Sequence, residues 1–178
     1  MTTLSDLTLR ELRASDLNAY KALRDHALAH HEEAFTSDAF TEARRTAESY
    51  AARLGGDLEG RFAGSFTLGA LRGDRLVGAV TCERDSRSKV RHVGHVVGTM
   101  VLTSEQGRGV GTMLLDALIA RASADEELQQ LILTVTTGNT AAERVYAKAG
   151  FVRYGTLPGA IRVGGRYLDK QHLHLTLK

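Results

Sequence analysis

A glycine-rich segment in the second half of the chain has the composition of a phosphate-binding turn. Residues 106–112 read QGRGVGT and place three glycines between a predicted strand and a predicted helix. Such a turn exposes unpaired backbone N–H groups, which together with the positive end of the helix dipole attract a phosphate or pyrophosphate. Glycine lets a ligand approach the backbone closely, and Arg108 adds positive charge. The segment predicts an anion site, with a ligand-free strand-to-helix turn as the alternative.

Two other phosphate-binding motifs do not fit this segment. The Rossmann pattern GxGxxG would need a third glycine where Thr112 stands, and the segment does not open a β-α-β chain at the N-terminus. A P-loop would need a Gly-Lys-Ser/Thr sequence, which the turn lacks. The chemistry of the turn therefore has to be read together with the elements around it.

Hydrophobic periodicity predicts those elements. Period-two alternation and short apolar runs predict seven strands, at residues 7–12, 66–71, 75–83, 91–102, 131–135, 151–157 and 167–177. Helical spacing predicts four helices: from Leu17 to about His30, over residues 41–54 with a stop at Gly55-Gly56, from after Ser104 to about Ala122, and around Ala142 up to Gly150. The order β-α-α-β-β-β-α-β-α-β-β indicates one α+β domain over residues 1–178.

Two motifs in this order resemble those of a known family. The pattern QxxGxG after a strand, from Gln106 to Gly111, resembles the acetyl-coenzyme A pyrophosphate loop of the GNAT superfamily of N-acetyltransferases. Residues 139–151, NTAAERVYAKAGF, are similar to the family's second hallmark, with Asn, Ala, Tyr and Gly-Phe at its spacing. Residues 165–169, GRYLD, resemble a Gly-x-Tyr-x-Asp segment of small-molecule members. The strand and helix order is similar over nearly the whole chain.

The resemblance implies a fold and a cofactor site. The expected fold is a mixed, mainly antiparallel central sheet flanked by about four helices, with the fourth strand splayed from the fifth. Acetyl-CoA would lie in that gap as cosubstrate. Its pantetheine would pair with Met100, Val101 and Leu102. The residues implied to bind the rest of the cofactor are Gln106, Gly107, Arg108, Gly109, Val110, Gly111, Thr112 and Asn139.

The resemblance also assigns a catalytic acid. Tyr146 matches the family position that protonates or hydrogen-bonds the CoA sulfur after direct attack of an amine on the thioester in a ternary complex. A phenol suits this role because its hydroxyl is neutral near pH 7. Tyr146 also shares a helical stripe with Ala142 and Val145, so a core tyrosine is the alternative.

The base that accepts the amine proton is predicted from position alone. Glu33 and Glu32 lie in the loop between the first two helices, where the family builds a substrate wall, and we prefer Glu33. His92 and His95 are alternatives near the fourth strand. Glu33 and Tyr167 are also the expected substrate contacts. A solvated loop carboxylate and a packed aromatic residue are the corresponding structural alternatives.

Two further groups of residues carry no predicted chemistry. His26, His30 and His31 lie beside Glu32 and Glu33, but the zinc pattern HExxH is absent, so we expect no metal site. Cys82 lies in an apolar strand and is expected to be a small buried residue rather than a nucleophile.

Composition excludes several classes of protein. The 178 residues carry a formal net charge of +2 and 6% aromatic residues, which argues against a nucleic-acid partner. The chain has no apolar run of the roughly 20 residues that a membrane helix needs, and its first residues lack the pattern of a secretory signal. One cysteine cannot form an internal disulfide, so a reducing, cytoplasmic location is expected. A homodimer is left open.

The sequence therefore predicts an acetyl-CoA-dependent N-acetyltransferase acting on the primary amine of a small molecule or an amino-acid-like acceptor. A protein N-terminal or lysine acetyltransferase is one alternative. A non-catalytic CoA-binding sensor is the other. The pattern does not identify the acceptor.

Overall fold

A seven-stranded sheet forms the centre of the computed structural model, which describes residues 6–55 and 59–178. The strands are β1 Leu7–Glu11, β2 Phe66–Arg72, β3 Arg75–Arg84, β4 Val93–Val101, β5 Gln130–Thr136, β6 Val152–Val163 and β7 Arg166–Thr176. Their order in the sheet is β1-β2-β3-β4-β5-β7-β6. Two predictions concern positions outside the described residues. They are the lack of a signal pattern, which includes residues 1–5, and the helix stop at Gly56.

One strand pair in the sheet is parallel, and it is short. β4 and β5 pair only from Val93 opposite Gln130 to His95 opposite Ile132, whereas every other neighbouring pair is antiparallel. Beyond His95 the register of β4 against β3 shifts at a bulge, where Gly98 has a φ of 60°. The bulge bends β4 away from β5 and opens a gap between them. The predicted mixed, mainly antiparallel sheet with splayed β4 and β5 is confirmed.

Helices cover the sheet on both sides. They are α1 Leu17–His30, α2 Ala39–Ala43, α3 Val110–Ser123 and α4 Thr140–Lys148. On β3, a Cβ at Gly78 would lie 2.9 Å from the Leu114 side chain, so α3 packs directly against the sheet there. On the other face, a Cβ at Gly98 would lie 3.3 Å from Tyr20 Oη of α1. The two faces of the sheet are thus covered by different helices.

The predicted helix over residues 41–54 is wrong. The structure has the short helix α2 followed by a separate 3₁₀ helix, Ala47–Leu54, with Thr46 in an extended conformation between them. The reason is a contact: Tyr50 Oη donates a 2.6 Å hydrogen bond to Glu42 Oε2. In a continuous α-helix, residues eight apart are separated by about 12 Å along the axis. The chain must therefore break between them.

The same carboxylate ties this segment to α1. Arg24 of α1 is buried, and its Nε donates to Glu42 Oε2 at 2.7 Å while Nη2 donates to Ser37 Oγ at 3.1 Å. Arg45 Nη1 donates to Glu42 Oε1 at 3.2 Å. The group fixes the connection between α1 and α2, which forms one wall of the site described below.

The predicted end of the sixth strand is also too early. The pattern placed it at Leu157, but β6 continues to Val163 through Pro158. Proline is tolerated because β6 lies at the edge of the sheet and its register shifts between Leu157 and Ile161. Gly159 N–H donates to Asp169 Oδ1 at 2.9 Å, so the long β6–β7 hairpin stays joined past the proline.

Replacing Glu42 by Gln is expected to remove one source of acid sensitivity. Burial would raise the pKa of Glu42, but hydrogen bonds from Tyr50 and Arg24 and the charge of Arg24 lower it from 4.5 to about 2. Because the pKa of Glu42 is lower in the folded state, its ionised carboxylate adds about 3 kcal/mol to the free energy of unfolding above pH 4.5. This contribution is lost as the pH falls towards 2. Urea unfolding of wild type and Glu42→Gln from pH 6 downwards measures it.

The matched control is Glu59→Gln, which alters an exposed carboxylate. The free energy of unfolding should fall with pH alike in the control and the wild type, and less steeply in Glu42→Gln. Equal slopes in all three proteins would contradict this role for Glu42.

Candidate active site

A cleft of about 530 Å³ lies between the end of β4, the start of α3 and the face of α4. We call it the α3–α4 cleft. It brings together residues of the two sequence motifs with the start of the α1–α2 connection. Its lining includes Val101, Gln106, Gly107, Gly109, Val110, Gly111, Thr112, Asn139 and Tyr146, together with His31, Ala34, Phe35, Thr99, Glu105, Ala141, Ala142 and Val145.

The glycine-rich turn presents free backbone donors to this cleft. Gly107 and Gly109 have φ values of 72° and 83°, which a residue with a side chain rarely adopts. Within the described part of the chain, no N–H from Gly107 to Thr112 donates a hydrogen bond, and the first helical bond runs from Met113 N to Gly109 O at 3.0 Å. These donors sit at the positive end of α3, so the turn is built to bind an anion.

Side chains on both sides of the turn fix it in place. Glu105 accepts hydrogen bonds from Arg72 of β2, at 3.2 and 2.9 Å. The Gln106 amide donates to the Val101 carbonyl at 3.3 Å and to His31 Nε2 at 2.8 Å. Arg108 is about half exposed, with its guanidinium 3.9 Å from Glu105. The turn is therefore bonded to the sheet and to the α1–α2 connection.

The three predicted β4 residues do not all reach the cleft. Val101 lines it, whereas the side chains of Met100 and Leu102 are buried in the core. Leu102 N–H is used within the sheet, because it donates to Val77 O at 2.9 Å. Of this group, Val101 is the residue in position to meet a ligand.

A smaller cavity of about 190 Å³ adjoins the α3–α4 cleft at the bulge of β4. We call it the bulge cavity. It extends through the gap between β4 and β5 towards the α1–α2 connection, and the residues that it shares with the cleft are Ala34, Phe35, Thr99, Asn139, Ala142 and Tyr146. Its remaining lining residues are Thr36, Val96, Val97, Gly98, Thr134, Val135 and Lys170.

Tyr146 lies where cleft and bulge cavity meet. Its ring is buried against Phe151, and its hydroxyl donates to Thr99 Oγ1 at 3.3 Å. Burial raises the pKa of Tyr146, so the phenol is protonated at neutral pH and can donate a proton into the gap. Asn139 caps α4, because its side chain accepts a 3.2 Å hydrogen bond from Ala142 N while the residue lines both cavities.

A third cavity, of about 560 Å³, borders the α1–α2 connection and β7. We call it the entrance cavity. Glu33 lines it, with its carboxylate paired to Arg166, and the Glu33 carbonyl accepts a 2.7 Å bond from Thr136 Oγ1. The carboxylate therefore lies beside the bulge cavity rather than inside it. Glu32 lines the same cavity.

Other predicted site residues are not brought to these cavities. Tyr167 is 67% exposed and packs against Arg162, while its neighbours Arg166 and Leu168 line the entrance cavity. His92 and His95 line none of the three cavities. Cys82 is buried, and desolvation raises the pKa of its thiol to about 12, which makes it a poor nucleophile.

The histidines of α1 are used for packing and hydrogen bonding. His26 stacks on His30 at 4.1 Å between ring centroids, and His26 Nε2 lies 3.1 Å from Thr103 Oγ1. In the described segments, no group of three His, Cys, Asp or Glu side chains could hold a metal ion. Nor does any helix in those segments have the length and apolar character to cross a membrane.

Comparison with known proteins identifies the family to which this fold belongs. Residues 20–151 match the model described as "Acetyltransferase (GNAT) family". The chain belongs to the GNAT family. A solved GNAT acetyltransferase from Streptococcus pneumoniae superposes with a TM-score of 0.81 at 28% identity, covering 96% of this chain and 99% of that one.

Two curated relatives have the names of different acetyltransferases. N-alpha-acetyltransferase 30 of Schizosaccharomyces pombe is 29% identical over 92 residues, which is 52% of this chain and 61% of the relative. The L-methionine sulfoximine/L-methionine sulfone acetyltransferase of Pseudomonas aeruginosa is 34% identical over 77 residues, 43% of this chain and 44% of the relative. The chain thus spans about half the length of the curated relatives it matches.

The sequence patterns did not identify several residues that line the gap. Thr99, Phe35 and Lys170 line the bulge cavity but belong to no motif. A glycine at position 98 inside an apolar strand was the one available signal, because an isolated strand glycine often marks a bulge. The turn, Asn139 and Tyr146 line one cleft, and the unpaired N–H groups of the turn suit the pyrophosphate of acetyl-CoA.

Proposed function

We propose that the protein is an acetyl-CoA-dependent N-acetyltransferase that acts on a small, amino-acid-like primary amine. One observation carries the proposal: the α3–α4 cleft, with its anion-binding turn, continues into the bulge cavity past the buried Tyr146 hydroxyl. A thioester held by the turn would reach an amine on the α1 side of the sheet. The position of the phenol suits proton donation to a thiolate released in the gap.

Different groups of the chain bind the cosubstrate, position the amine and donate the proton. The N–H groups of Gly107 to Thr112 and Arg108 hold the pyrophosphate, and Val101 borders the pantetheine. Acetyl-CoA supplies the acetyl group already activated as a thioester. The walls of the bulge cavity hold a neutral amine in line with that group, which replaces a bimolecular encounter by a positioned attack. Tyr146 then donates its proton to the departing sulfur.

The size and cover of the bulge cavity favour a small acceptor. Ala34, Phe35 and Thr36 of the α1–α2 connection lie across its α1 side, and its volume is about 190 Å³. The relative from Pseudomonas aeruginosa is named for amino-acid acceptors, L-methionine sulfoximine and L-methionine sulfone. A peptide N-terminus is the second candidate, because the wider entrance cavity adjoins the site and the Schizosaccharomyces pombe relative is an N-alpha-acetyltransferase.

Glu33 is our proposed acceptor of the ammonium proton. Its carboxylate lines the entrance cavity, which shares Ala34 and Asn139 with the bulge cavity. The proton would pass from the amine to Glu33 through water, and Arg166 holds the carboxylate at the boundary of the two cavities. Tyr167 stays a proposed substrate contact at the outer end of β7, where a longer acceptor would meet it.

Blocking the turn should abolish cosubstrate binding. Gly109→Asp places a side chain and a negative charge among the donors at the start of α3, so the Kd for acetyl-CoA should rise by roughly 100-fold or more. Isothermal titration calorimetry measures this directly. Gly73→Asp is the matched control, because Gly73 has a similar positive φ of 58° but occupies the β2–β3 turn with open space around it.

Saturable binding by wild type and Gly73→Asp, lost in folded Gly109→Asp, supports the proposed site. Wild-type protein that binds no acetyl-CoA would overturn the proposed function. Binding without thiol release from any amine would indicate the sensor alternative instead.

Tyr146→Phe tests the proton donor. Removing the hydroxyl should lower kcat roughly tenfold or more, because a general acid lost from the transition state slows the chemical step. The Kd for acetyl-CoA should change little, since the ring stays in place. Steady-state thiol release together with calorimetry separates the two effects. Tyr154→Phe, at an exposed tyrosine of β6, is the control; an unchanged kcat in Tyr146→Phe would rule out the acid role.

Glu33→Gln tests the proton acceptor through the pH dependence of the rate. Loss of the carboxylate should lower kcat/KM across the whole pH range, because the amine proton then has no acceptor at the cavity boundary. Glu32→Gln, one residue earlier in the same loop, should keep the wild-type profile. Identical profiles in wild type and Glu33→Gln would eliminate Glu33.

A further inference from the structure

Lys170 is a half-buried lysine inside the candidate active site. It lies on β7, where it pairs with Thr136 of β5 and Leu157 of β6, and its side chain lines the bulge cavity. Thr134, Gly98, Thr99 and Tyr146 line the same cavity, so Lys170 borders the gap between β4 and β5 from its far side. No motif in the sequence includes this residue.

The ammonium of Lys170 has no partner in the described part of the chain. It forms no hydrogen bond and no ion pair with any described residue. The other residues that line the bulge cavity carry no charged side chain. Burial accordingly lowers the pKa of Lys170, with no charge nearby to oppose it.

The carboxylates around β7 are committed to other groups. Glu33 is paired with Arg166. Glu143 accepts hydrogen bonds from Gln171 at 2.8 Å and from Gly138 N at 3.1 Å. Asp169, the neighbour of Lys170 in the chain, accepts from Gly159 N at 2.9 Å. Lys170 is therefore a half-buried cation in the bulge cavity without a counter-ion from the protein. Such a cation lowers the stability of the protein unless a ligand provides the counter-ion.

We propose that Lys170 binds the carboxylate of the acceptor and thereby makes the enzyme specific for amino acids over simple amines. The inference rests on the proposed function, and it names what the bulge cavity recognises. In an α-amino acid the amine and the carboxylate are bonded to one carbon. A carboxylate held at Lys170 on β7 therefore brings the amine into the gap beside Thr99 and Tyr146 on the opposite wall.

The charge of the cavity also excludes competing acceptors. A diamine or polyamine places a second positive charge in the cavity, where Lys170 repels it and no lining carboxylate attracts it. A peptide N-terminus has an amide in place of the carboxylate beside its amine, so it leaves the ammonium without a counter-ion. Lys170 thus favours a free amino acid over both.

The test compares two acceptors that differ by the carboxylate. L-methionine sulfone and its decarboxylated amine, 3-(methylsulfonyl)propan-1-amine, are assayed with acetyl-CoA by thiol release. We expect wild-type kcat/KM to favour the amino acid by roughly tenfold or more, since hydrogen bonds to charged groups are among the stronger ones. Lys170→Met keeps the length and apolar stem of the side chain. It should bring the ratio of the two kcat/KM values close to one, mainly by raising KM for the amino acid.

Two controls exclude a merely structural effect. Lys89→Met removes an exposed lysine from the β3–β4 loop and should leave the ratio at its wild-type value. The Kd for acetyl-CoA, measured by calorimetry, should stay the same in Lys170→Met, because Lys170 does not line the α3–α4 cleft. Lys170→Arg restores the cation and should recover part of the preference.

The outcomes separate this inference from the proposed function. An active wild type whose ratio is unaffected by Lys170→Met contradicts the role of Lys170 alone. Equal loss of kcat with both acceptors also contradicts it, since a proton-transfer group would act on both amines alike. A wild type that binds no acetyl-CoA and releases no thiol with any amine overturns the proposed function, and this inference with it.

Discussion

The separation of β4 from β5 is the constraint on which the rest of the site depends. If β4 and β5 stayed paired along their whole length, their backbone groups would hydrogen-bond to each other and no gap would form. Here the pairing stops at His95, and Gly98 turns β4 away at a backbone conformation that favours glycine. The gap exposes the inner edge of β4, and the turn before α3 and the N-terminus of α4 then lie on its two sides. The α3–α4 cleft and the bulge cavity both depend on that divergence, and the Tyr146 hydroxyl lies where the two meet.

A buried ion pair holds the α1–α2 connection, which forms one wall of the bulge cavity. Arg24 and Glu42 join α1 to α2, and Tyr50 completes the hydrogen bonding of the carboxylate. Because Arg24 also holds Ser37, the segment just before it, residues 34–36, is fixed over the bulge cavity. A charged cluster is used here to hold a loop of defined shape, which apolar packing alone determines less sharply.

Features that depend on neighbours in the sequence could be predicted, and those that depend on distant contacts could not. The turn at Gly107 and Gly109 and the position of Tyr146 on α4 each follow from spacing within one segment. The break after α2 escaped prediction because it arises from the side-chain hydrogen bond between Tyr50 and Glu42, which the helical spacing does not reveal. Lys170 escaped because only the pairing of β7 with β5 brings it to a cavity lined by β4.

The hydrogen bond between Gln106 and His31 gives the molecule a further property. It joins the glycine-rich turn to the α1–α2 connection, at 2.8 Å. A ligand that moves the Gln106 side chain must change the freedom of residues 31–36 as well. By thermodynamic linkage such an effect is reciprocal, so in the proposed reaction each substrate would alter the affinity for the other by the same factor.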